Sequence, residues 1–171
     1  DHIGEGAYKE TELVIQELLQ ENKNQINTSQ VVEIAEYKHS ILRTPELYFG
    51  YEFASGRNQL GNIEGFQPNK IIDYRLPENI RQHYFYLDGQ WENGKDSMKL
   101  ISSSGKIVLN FHAKQLNIVA AGDNELEILI DGKMVENSIA GNDVESSMVR
   151  ILEPRLYNII ESFYGESHTI T

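Results

Sequence analysis

The stretch from Lys106 to Met134, KIVLNFHAKQLNIVAAGDNELEILIDGKM, constrains the fold more than any other. Three alternating apolar runs follow one another in it. Ile107, Leu109, Phe111 and Ala113 share one face of the first, with Val108, Asn110 and His112 on the other. Leu116, Ile118 and Ala120 repeat the pattern, as do Leu126, Ile128 and Ile130. A period of two sends side chains to alternate faces of an extended chain, so each run reads as a strand with one buried face. Asp131-Gly132 closes the stretch with a pair that tolerates positive φ, which a tight hairpin requires. The core of a β-sandwich or barrel is expected here.

Shorter segments on either side support the same class. Leu47 to Phe53 is an aromatic run with strand character, opened by Pro45. Ala54 to Lys70, with Gly56, Gly61, Gly65 and Pro68, reads as loop, and Tyr74 to Leu76 as extended chain before Pro77. Tyr84 to Leu87 predicts a strand, Asp88-Gly89 a turn, and Gln90-Trp91 its resumption. Met98 to Ile101, Met148 to Leu152, Leu156 to Ser162 and a start at His168 complete the set. Many short strands separated by turn residues predict an all-β, jelly-roll-like sandwich. Only the beginning differs. Thr11 to Gln20 carries Val14, Ile15, Leu18 and Leu19 on one helical stripe, followed by polar ENKNQINTSQ. A helix this short falls below the roughly 12–15 residues that an isolated helix needs, so its stripe must pack on the β domain or on something outside this chain.

Composition removes several function classes. A formal net charge of -11 argues against a surface that tracks nucleic-acid phosphates and against docking on an anionic membrane. No apolar run is long enough to span a bilayer, and DHIGEGAYKE does not read as a signal peptide. The chain has no cysteine, so it forms no disulfide, no thiolate metal site and no cysteine nucleophile of its own.

Candidate chemistry is sparse. Asp123, Glu125, Glu127 and Asp131 lie close together in sequence, but alternation puts Glu125, Glu127 and Asp131 on an outward face, which reads as a solvated strand. None of the five histidines is paired at metal-ligand spacing. Ser102 to Ser104 have no nucleophile elbow around them and read as a turn. Catalytic residues, metal and cofactor are therefore expected to be none. The binding candidates are aromatic: Tyr48, Tyr51, Tyr84, Tyr86 and Trp91 concentrate in one part of the sequence. Such rings either stack on the C–H faces of sugars as an exposed glycan platform or fill the sandwich core. The residues leave both readings open.

Several motifs in order carry a family resemblance. Thr44-Pro45-Glu46-Leu47-Tyr48-Phe49-Gly50-Tyr51-Glu52 resembles the TPExYxGYE opening of the carbohydrate-binding-module-like C-terminal domain of DipZ-type, thioredoxin-family proteins. Leu87-Asp88-Gly89-Gln90-Trp91 is similar to its L-x-G-x-W step, Ile107 to Ala113 and then Leu116 to Val119 to its successive strands, and Asp131-Gly132 to its DG turn. Arg155-Leu156-Tyr157 and His168 resemble its last matching strands. At the N-terminus, His2 to Tyr8 with the following helix resembles the end of the preceding thioredoxin domain.

The resemblance implies residues 1–22 as a thioredoxin-like remnant, 23–43 as linker and 44–171 as the sandwich, lacking the family's last strand. It implies a non-catalytic accessory domain of an extracytoplasmic (periplasmic or cell-envelope) thiol–disulfide oxidoreductase. Its partners would be the preceding thioredoxin-like domain and a glycan or protein ligand, with no nucleic acid and no membrane contact from this chain. An open sheet edge would offer a route to a homo-oligomer. The alternative is a structural sandwich for dimerisation or docking, with no sugar affinity.

Overall fold

The computed structural model describes residues 43–171, apart from the side chains of 162–166. The helix expected over 11–20 and most of the linker lie outside the described residues. Those described form an all-β sandwich. In chain order they are a four-residue helix α1 (Tyr51–Ala54) and strands β1 (Ile71–Tyr74), β2 (Phe85–Asn93), β3 (Met98–Leu100), β4 (Lys106–Ala120), β5 (Asn124–Glu127), β6 (Leu129–Ile130), β7 (Lys133–Met134), β8 (Met148–Ile151) and β9 (Arg155–Ile170). A seven-stranded sheet runs β1-β2-β4-β9-β6-β7, with β3 added beside β2, and β5 and β8 form a second, two-stranded sheet. The pairings between strands are all antiparallel.

The spine is β4 against β9. The two expected runs 107–113 and 116–120 are one 15-residue strand, and the polar Lys114-Gln115 step is an irregularity rather than a turn. Register shifts fall between Ala113 and Gln115 and between Leu116 and Asn117, where β9 carries the additional residues. A bulge absorbs such a mismatch by bending the strand while keeping the ladder, so polar residues inside an alternating run need not end it. The third run is divided in the opposite sense. Asn124–Glu127 pairs with β8, whereas Leu129–Ile130 joins the large sheet. Ile128 is buried at the crossing and its N–H donates to Ser147 O. Asp131 (φ 52) and Gly132 (φ 75) then form the expected hairpin between β6 and β7.

Two apolar clusters fill the interior. Phe111 from β4 and Tyr157, Ile159 and Ile160 from β9 meet Val149 and Ile151 from β8, which packs the small sheet on the large one. Leu60, Tyr74, Phe85, Leu87 and Trp91 form the other, with Phe49 stacked on Phe85 at 4.1 Å between ring centroids. Asp88-Gly89 does not turn the chain. Gly89, at φ 97, lets β2 run on while it changes partners from β4 to β1 and β3.

The aromatic run 47–53 is not a strand. It is irregular up to Gly50 and then coils into α1. Tyr51 N–H donates to Gly94 O and Glu52 N–H to Lys95 O, so the chain wraps a neighbouring turn in place of a strand edge. That approach needs glycine at position 50, because a Cβ there would come within 2.3 Å of the Asp96 backbone.

Candidate functional site

Three buried amide side chains hold the 44–70 segment against the sheet where no strand does so. Gln59 accepts from Tyr48 N–H at 3.1 Å and donates to Glu46 O at 2.6 Å. Asn62 accepts from Leu87 N–H and donates to Leu87 O, both at 2.8 Å, and also donates to Arg75 O. Asn93 accepts from Gln67 N–H at 3.0 Å and from the Tyr74 hydroxyl at 2.8 Å, and donates to Lys70 O and Trp91 O. A primary amide presents a donor and an acceptor with peptide-like geometry, so each stands in for a missing ladder bond. Gly61 lies flat on the Tyr86 ring, and a Cβ there would sit 2.2 Å from it.

Against this anchored loop lies an open groove of about 500 Å³, lined by Tyr51, Ala54, Ser55, Gly56, Asn58, Phe66 and Pro68. Tyr51 and Ala54, the first and last residues of α1, both line it. Phe66 backs the groove, its ring edge-on to Phe85 at 6.4 Å. Asn58 and Asn69 take positive φ, 50 and 59°, a conformation asparagine accepts more readily than most residues. The Tyr51 hydroxyl points toward Asn69 Oδ1 at 3.5 Å. Glu52, next to Tyr51 in α1, pairs with Lys95, whose Nζ is 3.1 Å from Glu52 Oε2, and that carboxylate raises the lysine's pKa. The lining combines apolar surface from Tyr51, Ala54, Phe66 and Pro68 with the polar Ser55 and Asn58.

The five aromatic candidates separate. Tyr86 and Trp91 are interior, 1% and 7% exposed. The Trp91 indole N–H donates to Asp88 O at 2.9 Å. Tyr84 has the Arg81 guanidinium over its ring at 4.0 Å. Tyr48 carries Arg57 at 4.5 Å, and its hydroxyl donates to Glu46 Oε2, which raises the phenol's pKa. Tyr51 alone of the five lines the groove. Phe66, Pro68 and Asn58 join it from a segment the sequence presents as plain loop; an isolated Phe among glycines, proline and amides was the available signal.

Several other polar candidates pair with neighbouring strands or turns. Glu125 pairs with Arg150 at 3.2 Å on the outer face of the small sheet, as its alternation predicts. His112 Nδ1 meets Ser167 Oγ at 3.0 Å as a cross-strand neighbour. His168 Nδ1 lies 2.9 Å from Asp131 Oδ2 and holds that carboxylate below its ordinary pKa, helped by Thr169 N–H. Among the described residues no group of three acidic or histidine side chains converges to hold a metal ion, and no helix is long and apolar enough to cross a membrane.

Comparison with known proteins places these features in a family. A family model described as "Thioredoxin like C-terminal domain" matches residues 44–171. Two curated relatives named Protein DipZ, from Mycobacterium bovis and Mycobacterium tuberculosis, are each 28% identical over 141 residues, which covers 81% of this chain and 20% of the relative. The chain thus spans about a fifth of the length of the curated relatives it matches.

Proposed function

Since the chain belongs to the family of thioredoxin-like C-terminal domains found in DipZ-type proteins, we propose that it is the non-catalytic accessory domain of an extracytoplasmic thiol–disulfide oxidoreductase, and that its groove binds a glycan. The observation that carries the first part is the family match over 44–171 in a chain without a single cysteine. Thiol exchange needs a thiolate, so any redox chemistry belongs to another part of the parent.

The glycan reading is supported by the groove. Tyr51 and Phe66 offer ring surface for sugar C–H faces, with Pro68 extending the apolar floor, while Asn58 and Ser55 stand at the rim for hydroxyls. Titrating the chain calorimetrically with a panel of soluble glycans tests it. Tyr51→Ala should weaken any binding at least tenfold, about 1.4 kcal/mol, and leave thermal unfolding almost unchanged. If no glycan binds, the sugar reading is wrong and the accessory role falls to docking.

A specific observation favours that second, docking reading. Val119 and Leu156 face each other across β4 and β9 on the outer side of the sheet and are 78% and 54% exposed. Adjacent apolar side chains left in water are a usual mark of a contact surface.

A further inference from the structure

We infer that the groove takes neutral sugar units, with the Asn58 amide bridging two adjacent hydroxyls, and turns away sugars that carry a carboxylate. The inference rests on the glycan reading above and adds to it a sugar class and the residue that selects it.

Asn58 is held out to the groove by its neighbours. Arg57 N–H donates to Ala54 O at 3.0 Å. On the other side Gln59 is buried, its side chain is bonded to Tyr48 N–H and Glu46 O, and its carbonyl accepts from Phe85 N–H at 3.1 Å. Between these anchors Asn58 takes φ 50, and its exposed side chain lines the groove. A side chain whose backbone is fixed in advance loses little freedom on binding. The amides of Gln59, Asn62 and Asn93 are engaged by backbone groups of the domain. Among the described residues, neither the Asn58 amide nor the Ser55 hydroxyl has a hydrogen-bond partner.

These groups match a hydroxyl pair. A primary amide carries a donor and an acceptor side by side, and a hydroxyl is both donor and acceptor. Of two neighbouring sugar hydroxyls, one accepts from Asn58 Nδ2 and the other donates to Oδ1, while Ser55 serves a third. A carboxylate only accepts, so it would use the N–H side alone and leave Oδ1 facing negative charge. No cation offsets that charge, since none of the described residues lining the groove is charged. Lys95 is paired with Glu52 at 3.1 Å, and Arg57 lies over the Tyr48 ring with its Nε donating to Phe53 O at 3.1 Å. A carboxylate drawn out of water without a partner is costly. The chain's net charge of -11 adds repulsion at longer range.

Calorimetric titration of the whole chain in high salt, which screens the long-range repulsion, isolates the local effect. Neutral gluco-, manno- and xylo-oligosaccharides are compared with oligogalacturonates of equal length. At least one neutral series should bind, and at least tenfold more tightly than the oligogalacturonates. Asn58→Gly, which accepts the same positive φ without a side chain, should weaken neutral binding at least tenfold and keep the unfolding midpoint close to wild type. Asn58→Asp should weaken it at neutral pH and regain it as pH falls through about 4, where the carboxyl recovers a donor. Absence of that recovery would overturn the role given to the amide. Oligogalacturonates binding as tightly as the neutral series, or neutral binding lost in Tyr51→Ala but untouched in Asn58→Gly, would overturn the inference and leave the glycan reading standing. No binding by any probe would remove both.

Discussion

The hydroxyl of Tyr74 lies 2.8 Å from Oδ1 of Asn93, and neither side chain is exposed to solvent. The same hydroxyl is 2.8 Å from Gly65 O. Tyr74 on β1 and Asn93 at the end of β2 thus tie the loop that backs the groove to the sheet beneath it. Burial pushes the Tyr74 phenol above its ordinary pKa, so it remains a donor across the physiological range. The pair contacts Gly65 and Gln67, which flank Phe66 in the groove lining.

Asn93→Ala should therefore destabilise the domain by about 2–3 kcal/mol, since it leaves Gln67 N–H without its acceptor and opens a small cavity. Urea unfolding measures it. The substitution should also weaken ligand binding in the groove, whereas an exposed neighbour such as Glu92→Ala should affect neither.

Gly61→Ala should cost about 1–3 kcal/mol, because the new methyl runs into the Tyr86 ring and the loop or the ring must shift. A second-site Tyr86→Phe would not relieve it, since the ring atoms remain. It would instead remove the acceptor of Arg81 N–H and add its own destabilisation.

Asp143 gives a dependence on pH. Its carboxylate accepts from Arg155 Nη2 and from Asn158 N–H, both at 2.7 Å, and these bonds, the arginine's first, lower its pKa. The folded value lies below the unfolded value of about 3.9, so the stabilisation is present above that pH and is lost as pH falls through the folded value. The difference in urea midpoint between wild type and Asp143→Asn should be constant from neutral pH to about 5 and shrink under stronger acid. Because the pair is partly exposed, the difference should be modest.

The single Trp offers a direct check on the interior. Trp91 should emit at short wavelength and resist iodide quenching, with or without glycan, because it is 7% exposed and its N–H is bonded to Asp88 O.

How far the sequence carried the account follows from which forces act locally. The alternation in 107–130 identifies the spine of the sandwich because burial on one face imposes a period of two whatever the partner strand. It does not show that the strand continues through Lys114-Gln115, since bulges are set by the opposing strand, here β9. Nor does it show Ile128 passing between sheets. The Asp131-Gly132 hairpin was legible because its φ values are a property of those two residues. The aromatic run 47–53 misled, because Gly50 fits against the backbone of Asp96, and that approach exists only in the folded chain. Of the five candidate aromatics, Tyr51 reaches the groove while Tyr86 and Trp91 are consumed by the core, and identical residue types give no means of separating those fates.

The central claim is that this domain contributes a binding groove and no chemistry of its own, and amide shift mapping tests it most directly. Nitrogen-15-labelled chain would be titrated with the glycan panel while backbone resonances are followed. The account predicts saturable shifts centred on Tyr51, Asn58 and Phe66, absent in Tyr51→Ala and leaving Trp91 unmoved. Saturable shifts centred elsewhere, or none with any glycan, would contradict it.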